Sequence, residues 1–438
     1  MLPPRQAGQA AIVLLAFLGS LLGGFFLVFN VGQLVTDKVR LVTAADAAAY
    51  SAAVWEARSL NFQATLNRAI VANEVAIAQF VSLRSWSAHV DRGIDNAATV
   101  ASWVPPLGRA LQVLARGWDA VDRSLQTTLP PLESALSAWN VDALVRAQDL
   151  AHQQALVGAA DLVAEVARAN EPRAEVGEGT RVLQVRNASG WQSGLTSRNR
   201  RGGSDLRRYR DLLHASRDGF SARRAFDPLP SNPLLSAPRR GGTELLGEQA
   251  WRAVDTWSLH IDYLLGSREV PFAWGAAEQR ERPVAQRGQH GGSRRDNPRA
   301  TSLAERGLVA SAGYSGIPEI RDIIRPARRD DLRLTYGVSL RLPRPRVVSI
   351  ESLLLPSGLD AGAGPVGAGL QLPADALHAQ ATAEVFFARP LARADGRREF
   401  PSLFNPYWQV RPVPVSATDR QLTAPTRGVA VDPFAVLP

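Results

Sequence analysis

Between Pro4 and Pro105 the chain contains no proline, and within that interval Ala10 to Phe29 carries no charge and a single polar side chain, Ser20. Proline is the residue that a helix interior tolerates least, so its absence permits one continuous helix. Twenty helical residues rise about 30 Å, the thickness of a bilayer's hydrocarbon core. The stretch 10–29 is therefore expected to be a transmembrane helix. A cleaved leader is the rival reading, but a leader's apolar core is shorter and closely followed by a small-x-small site. Here the exit reads Leu27-Val28-Phe29-Asn30, and the nearest suitable pair, Ala45 and Ala47, lies far downstream. Arg5 on one side and Lys38 and Arg40 on the other leave the positive-inside comparison undecided.

Beyond Phe29 the composition favours helix: alanine, leucine, glutamine and arginine dominate. Every seventh residue from Leu34 is apolar, through Leu41, Ala48, Trp55, Phe62, Ala69, Ala76, Leu83 and Val90. The partner positions include Lys38, Ser59 and Asn73, so the stripe suits packing better than a two-stranded zipper. Such a stripe is more often core than a cofactor site. The run Ala44-Ala45-Asp46-Ala47-Ala48-Ala49 would let a second helix approach closely. Continuous to Val100, the helix would be about 140 Å long, with Gly32 and Gly93 as possible interruptions.

Three segments resemble the TadG-like proteins of tight-adherence (Tad, or Flp) pilus assembly. They are Arg5-Gln6-Ala7-Gly8-Gln9, Asn30-Val31-Gly32-Gln33-Leu34, and Ala44-Ala45-Asp46-Ala47-Ala48-Ala49-Tyr50. The run from Leu60 to Ala69 with Val71-Ala72-Asn73, and Ser402-Leu403-Phe404-Asn405-Pro406-Tyr407-Trp408-Gln409, are similar to one branch of that family. The resemblance implies a bacterial inner-membrane protein with a cytoplasmic N-terminus and a periplasmic body. It implies as partners the lipid bilayer and other pilus-assembly or secretion proteins, with a homo-oligomer also open. Two family features are missing. No glutamate stands a few residues after Gly8, where the chain reads Gln9-Ala10-Ala11-Ile12-Val13, which argues against prepilin cleavage, and no Asp-x-Ser-x-Ser motif marks a metal-dependent adhesion site.

The rest of the chain reads as follows. Pro105-Pro106 should end the stalk, and Leu107 to Ala169 should form two helices split by Pro130-Pro131. The stretch from Glu171 to Asn232 is polar, with Arg198, Arg200, Arg201, Arg207, Arg208 and Arg210 close together. That cluster could grip anionic lipid or wall polymer, but a solvated face is the commoner origin of such a run. Nucleic acid is disfavoured because only Tyr209 is interleaved to stack a base. Trp251 to His260 suggests a short buried helix, and Glu278 to Arg299 a mobile loop. Leu332 to Leu340, Ala383 to Phe387 and Trp408 to Val415 read as strands, with Gly358 to Gly369 as a loop and Pro412 marking an edge.

Composition closes several routes to chemistry. There is no cysteine, hence no disulfide, thiolate metal site or cysteine nucleophile. The net charge of +9 is carried almost wholly by arginine, since Lys38 is the single lysine. The six histidines, His89, His152, His214, His260, His290 and His378, show no zinc spacing. There is no nucleophile elbow and no P-loop. His260 with Asp255 and Asp262, and Glu384 with Glu399, are weak candidates that general frequency explains. No catalytic residue, cofactor or metal is assigned.

The expectation is thus an α+β chain, mostly α, with a transmembrane helix that continues into a helical stalk and a small C-terminal β region. Its segments are a tail at 1–9, the anchor at 10–29, a stalk and bundle at 30–170, an Arg/Gly-rich mixed region at 171–330, and a β-rich region at 331–438. The expected function is non-enzymatic, through helix contacts at Asp46, Trp55, Asn61, Phe62, Asn67, Arg68 and Asn73. An envelope module binding anionic lipid or polymer is the alternative.

Overall fold

The structure is a computed structural model that describes residues 9–191, 196–199, 203–228, 234–263, 266–323, 332–348, 376–397 and 399–424. The expected loop at Gly358 to Gly369, and Arg200 and Arg201 of the arginine cluster, lie outside the described residues.

Helix α1 runs unbroken from Gln9 to Ala101, 93 residues or about 140 Å. Neither Gly32 nor Gly93 interrupts it. Three residues later α2 (Pro105–Trp139) begins with its prolines in the first turn, where no intrahelical N–H is needed. A π-helical turn at Asn140–Val145 joins it to α3 (Arg146–Asn170). The sequence placed the break at Pro130-Pro131, yet the helix passes through both. Leu129, Glu133, Ser137 and Asn140 are buried against α1, and this packing holds the turn that the prolines weaken.

There follow β1 (Glu175–Val176), α4 (Glu178–Ser189), β2 (Thr196–Arg198), α5 (Ser204–Ser216), α6 (Gly219–Ala222), β3 (Arg224–Phe226) and β4 (Leu235–Ser236). Then come β5 (Arg239–Leu246), β6 (Ala250–Tyr263), β7 (Gly266–Arg280), α7 (Ser293–Asp296), α8 (Pro298–Arg306), β8 (Val309–Ser311) and β9 (Arg321–Ile323). The last elements are β10 (Arg333–Pro343), β11 (Ala376–Phe387), β12 (Trp408–Val413) and α9 (Ala417–Thr423).

Two sheets carry the body. One is antiparallel in the order β1-β10-β11-β12, and Pro412 sits in its edge strand, where a missing donor costs least. The other has the path β3-β5-β6-β7-β8, with β4 also on β6. Trp251 to His260 is therefore a strand and not a helix. Both faces of β6 are covered: Trp251 and Ala253 join the core along α1, whereas Val254 packs with Ala276 and Ala304 of α8. A strand buried on both sides shows no clean alternation, which is why its period misleads. Glu278 to Arg299 likewise holds the end of β7, all of α7 and the start of α8.

Helices α2 and α3 run back along α1, and the sheets pack on its other sides. The return is traced by Trp118 Nε1 donating to Ser87 O, Gln148 Nε2 to Asn67 Oδ1, Ser59 Oγ to Ala151 O, and Arg173 to Asp37. On the sheet side, a Cβ added at Gly275 of β7 would lie 2.5 Å from His89 N, so only glycine allows this approach of strand to helix. One core joins Leu41 to Leu60 of α1, Ala155 to Ala167 of α3, and β10 and β11. A second joins Ile70 to Val81 with α5, β5, β6 and β7.

The buried face of α1 does not follow the seven-residue stripe. Leu41 and Ala48 are fully buried, but Trp55 and Phe62 are 41% and 49% exposed. Seven residues fall about 20° short of two turns, so a heptad stripe winds off the packed face of a straight helix. Eleven residues overshoot three turns by about the same angle, so an eleven-residue track drifts more slowly along the helix. That spacing runs through Leu41, Ala52, Gln63, Glu74 and Ser85, and through Ala45, Glu56, Asn67, Ala78 and His89, all buried. Apart from its alanines and Leu41 this track is polar, so a hydrophobicity pattern cannot show it.

Candidate docking surface

The three asparagines of the expected interaction set are internal pins. Asn61 Nδ2 donates to Trp408 O at 2.9 Å, and Trp408 N donates to Asn61 Oδ1 at 3.0 Å. Asn67 Nδ2 donates to Arg321 O and Leu403 O, each at 2.8 Å, while its Oδ1 accepts from Gln148 Nε2. The two motif runs, around Asn61 to Asn73 and around Ser402 to Gln409, thus meet in space. Asn73 Nδ2 donates to Asn140 Oδ1 at 2.8 Å, on the seam between α1 and the π turn.

Below them the polar track is satisfied from the surrounding elements. Glu74 accepts from Trp251 Nε1 (3.0 Å), Tyr314 OH (2.7 Å) and Asn140 Nδ2 (3.0 Å), and burial raises its carboxyl above the usual range. Arg84 and Glu133 form an ion pair at 3.0 Å with both side chains inaccessible. Asp255 accepts from Arg224 Nε and Nη2 and from Ser85 Oγ. These groups are sealed from solvent, and their chemistry is that of folding. His260 contacts Asn297 at 3.0 Å, away from the pairing of Asp255 with Arg224. Glu384 and Glu399 serve separate arginines, Arg333 and Arg411 against Arg389 and Arg393. Among the described residues no group of three His, Asp or Glu side chains could hold a metal ion.

The alanine-rich run is not a free surface. Ala44, Ala45, Ala48 and Ala49 are at most 1% exposed within the first core. Only Asp46 of that run's functional candidates points outward, and partial burial raises its carboxyl. The arginine cluster is largely engaged as well: Arg198 pairs with Asp149, Arg208 with Asp205, and Arg210 with Asp211.

What remains open is the outer stripe of α1. Trp55, Arg58 and Phe62, spaced by three and four residues, line a cleft of about 200 Å³ with Ala151, Gln154 and Ala155 of α3. Trp55 and Arg58 also border a second cleft of about 240 Å³ with Tyr50, Val54 and Leu162. One side of α1 further on, Arg68 rims a notch of about 410 Å³ walled by Val71, Ala72, Val75, Leu212 and Phe404. Arg58 was not among the expected residues, although helical spacing places it between Trp55 and Phe62.

Residues 8–55 match the family described as putative Flp pilus-assembly TadE/G-like. Over this N-terminal segment the chain is similar to that family. The segment contains the apolar start of α1, where most large apolar side chains from Ile12 to Val35 lie exposed, and ends at Trp55. The apolar part of this segment is long enough to cross a membrane, and none of the described residues buries its most apolar window. Searches of curated proteins and of solved structures return no match.

Proposed function

We propose that the protein is a non-enzymatic, membrane-anchored structural component of Flp-type pilus assembly or a related secretion system. In this reading residues 1–9 are cytoplasmic, 10–29 cross the inner membrane, and the stalk and bundle (30–170) stand in the periplasm with regions 171–330 and 331–438. The observation that carries it is the continuity of α1. One helix leads from a bare apolar segment with TadE/G-like sequence into a buried axis of the body, so anchor and body move as one piece. A partner would dock on the stripe of Trp55, Arg58 and Phe62, two half-exposed aromatics flanking a cation, a composition typical of binding hot spots. Such a partner presents an apolar helix face with a carboxylate opposite Arg58.

A photo-crosslinking amino acid at Phe62, in cells that assemble pili, tests this. Adducts to pilus-assembly or secretion proteins are expected, or adducts to a second copy if the chain self-associates. Crosslinker at the buried Glu74 should give none. Identical adduct patterns at both positions, or no adduct at Phe62, would remove the docking stripe from the proposal.

A further inference from the structure

Where α1 enters the body, the side chains around it are basic. Asp37 is the first fully buried residue of the helix, 1% exposed. Its carboxylate accepts from Arg173 Nη2 at 2.7 Å and from the Val348 amide at 3.0 Å. Arg173 and Arg346 bind each other's carbonyls, at 3.1 and 3.0 Å. Lys38 Nζ donates to the carbonyl of His378, and Arg341 and Arg346 share Glu175 at 2.8 and 3.1 Å. Glu171 completes the set by pairing with Arg173 at 2.8 Å. Three carboxylates therefore serve Arg173, Arg341 and Arg346. Arg40 and Arg344 remain exposed and make no close ion pair among the described residues, although Arg40 stands near enough to Glu171 to help lower its carboxyl.

We propose that this collar binds the phosphate headgroups of the bilayer that α1 enters, and so fixes the height and tilt of the body over the membrane. The inference rests on the reading of 10–29 as a membrane anchor. Asp37 lies eight residues past Phe29, about 12 Å along the helix axis. The headgroup layer is roughly 5–8 Å deep on each side, and arginine reaches back along its own length to a polar boundary. Guanidinium groups match phosphate oxygens in pairs, and among the described residues five arginines, Arg40, Arg173, Arg341, Arg344 and Arg346, stand here against three carboxylates. The network among Arg173, Arg346, Asp37 and Glu175 holds the collar rigid, so Arg40 and Arg344 are presented without loss of fold.

The test uses the full-length chain reconstituted in vesicles that mix phosphatidylglycerol with phosphatidylcholine. Lipid retained after detergent release is measured by native mass spectrometry. Wild type should retain phosphatidylglycerol selectively. The variant Arg40→Ala/Arg344→Ala should retain on the order of ten-fold less with an unchanged melting temperature, and Arg58→Ala/Arg68→Ala should match wild type. Carbonate-resistant protein that retains both lipids equally, or loses nothing in the collar variant, overturns the collar alone. Wild type washed from vesicles by alkaline carbonate overturns the anchor, and the collar with it. Selective retention of a phosphate-rich wall polymer over phosphatidylglycerol, in a competition arm, also refutes the lipid assignment.

Discussion

Asn61 of α1 grips both main-chain groups of Trp408, donating to its carbonyl at 2.9 Å and accepting from its amide at 3.0 Å. A primary amide is the one short side chain that can offer a matched donor and acceptor to a strand in this way. The contact ties the start of β12 to the helix that carries the apolar N-terminal segment.

Removing that grip strands two main-chain groups beside a Trp408 that is only 3% exposed. Asn61→Ala should lower stability by about 2–4 kcal/mol. Asn61→Asp, which keeps the acceptor and loses the donor, should fall between. Urea unfolding in detergent, followed by tryptophan fluorescence, reads both. An Asn61→Ala midpoint equal to that of wild type would show the bonds to be dispensable.

Ala48 is fully buried between α3 and the β10–β11 sheet. Ala48→Glu forces a larger, charged group into that core and should cost roughly 4 kcal/mol or more. Ala72→Glu, on the exposed face, should cost less than about 1 kcal/mol. Limited proteolysis compares the two, and the protease-sensitive one should be Ala48→Glu. On the proposed reading of 10–29 as the anchor, its membrane retention should be unchanged.

Arg84 and Glu133 are mutually dependent. Burial pushes the glutamate up, to about 7, against the pull of the guanidinium beside it. Arg84→Met alone leaves a buried carboxyl without its partner and should cost about 3–5 kcal/mol. Arg84→Met/Glu133→Leu should recover much of that loss in thermal unfolding. A double variant as unstable as the single one would mean that the pair, with Gln126 and Ser311 around it, specifies α2's position beyond its charge.

Glu56 sits in the first core with Asn187 Nδ2 donating to it at 2.5 Å, and burial pushes its carboxyl from 4.5 to about 8. The folded state thus holds this proton to about pH 8, while the unfolded chain releases it near 4.5. The associated stability is complete below pH 4.5 and lost as pH rises through 8. The buried histidines His89 and His152 work in the opposite direction and below 6.5, since burial lowers both to about 4. Between pH 6.5 and 8 the stability of wild type should therefore fall relative to Glu56→Gln, by roughly 1–2 kcal/mol. Parallel melting curves for the two proteins across that window would rule the assignment out.

The sequence alone determined whatever depends on the chain's local chemistry. An uncharged run long enough to span a bilayer, and the absence of proline between Pro4 and Pro105, make a long helix with an apolar start almost irrespective of what surrounds it. The strands near Leu334, Val385 and Trp408 were legible from the apolar alternation of Leu332 to Leu340 and from β-prone composition, even though the middles of β10 and β11 are buried without alternation. Which face of α1 is inside was decided only by tertiary structure. Glu56, Asn67, Glu74 and Arg84 look like surface residues until Asn187, Gln148, Trp251 and Glu133 arrive from elsewhere to pair with them. The same holds for Pro130-Pro131 inside a helix and for β6, covered on both faces. A polar group's burial is affordable only through partners distant in sequence, and no window along the chain contains them.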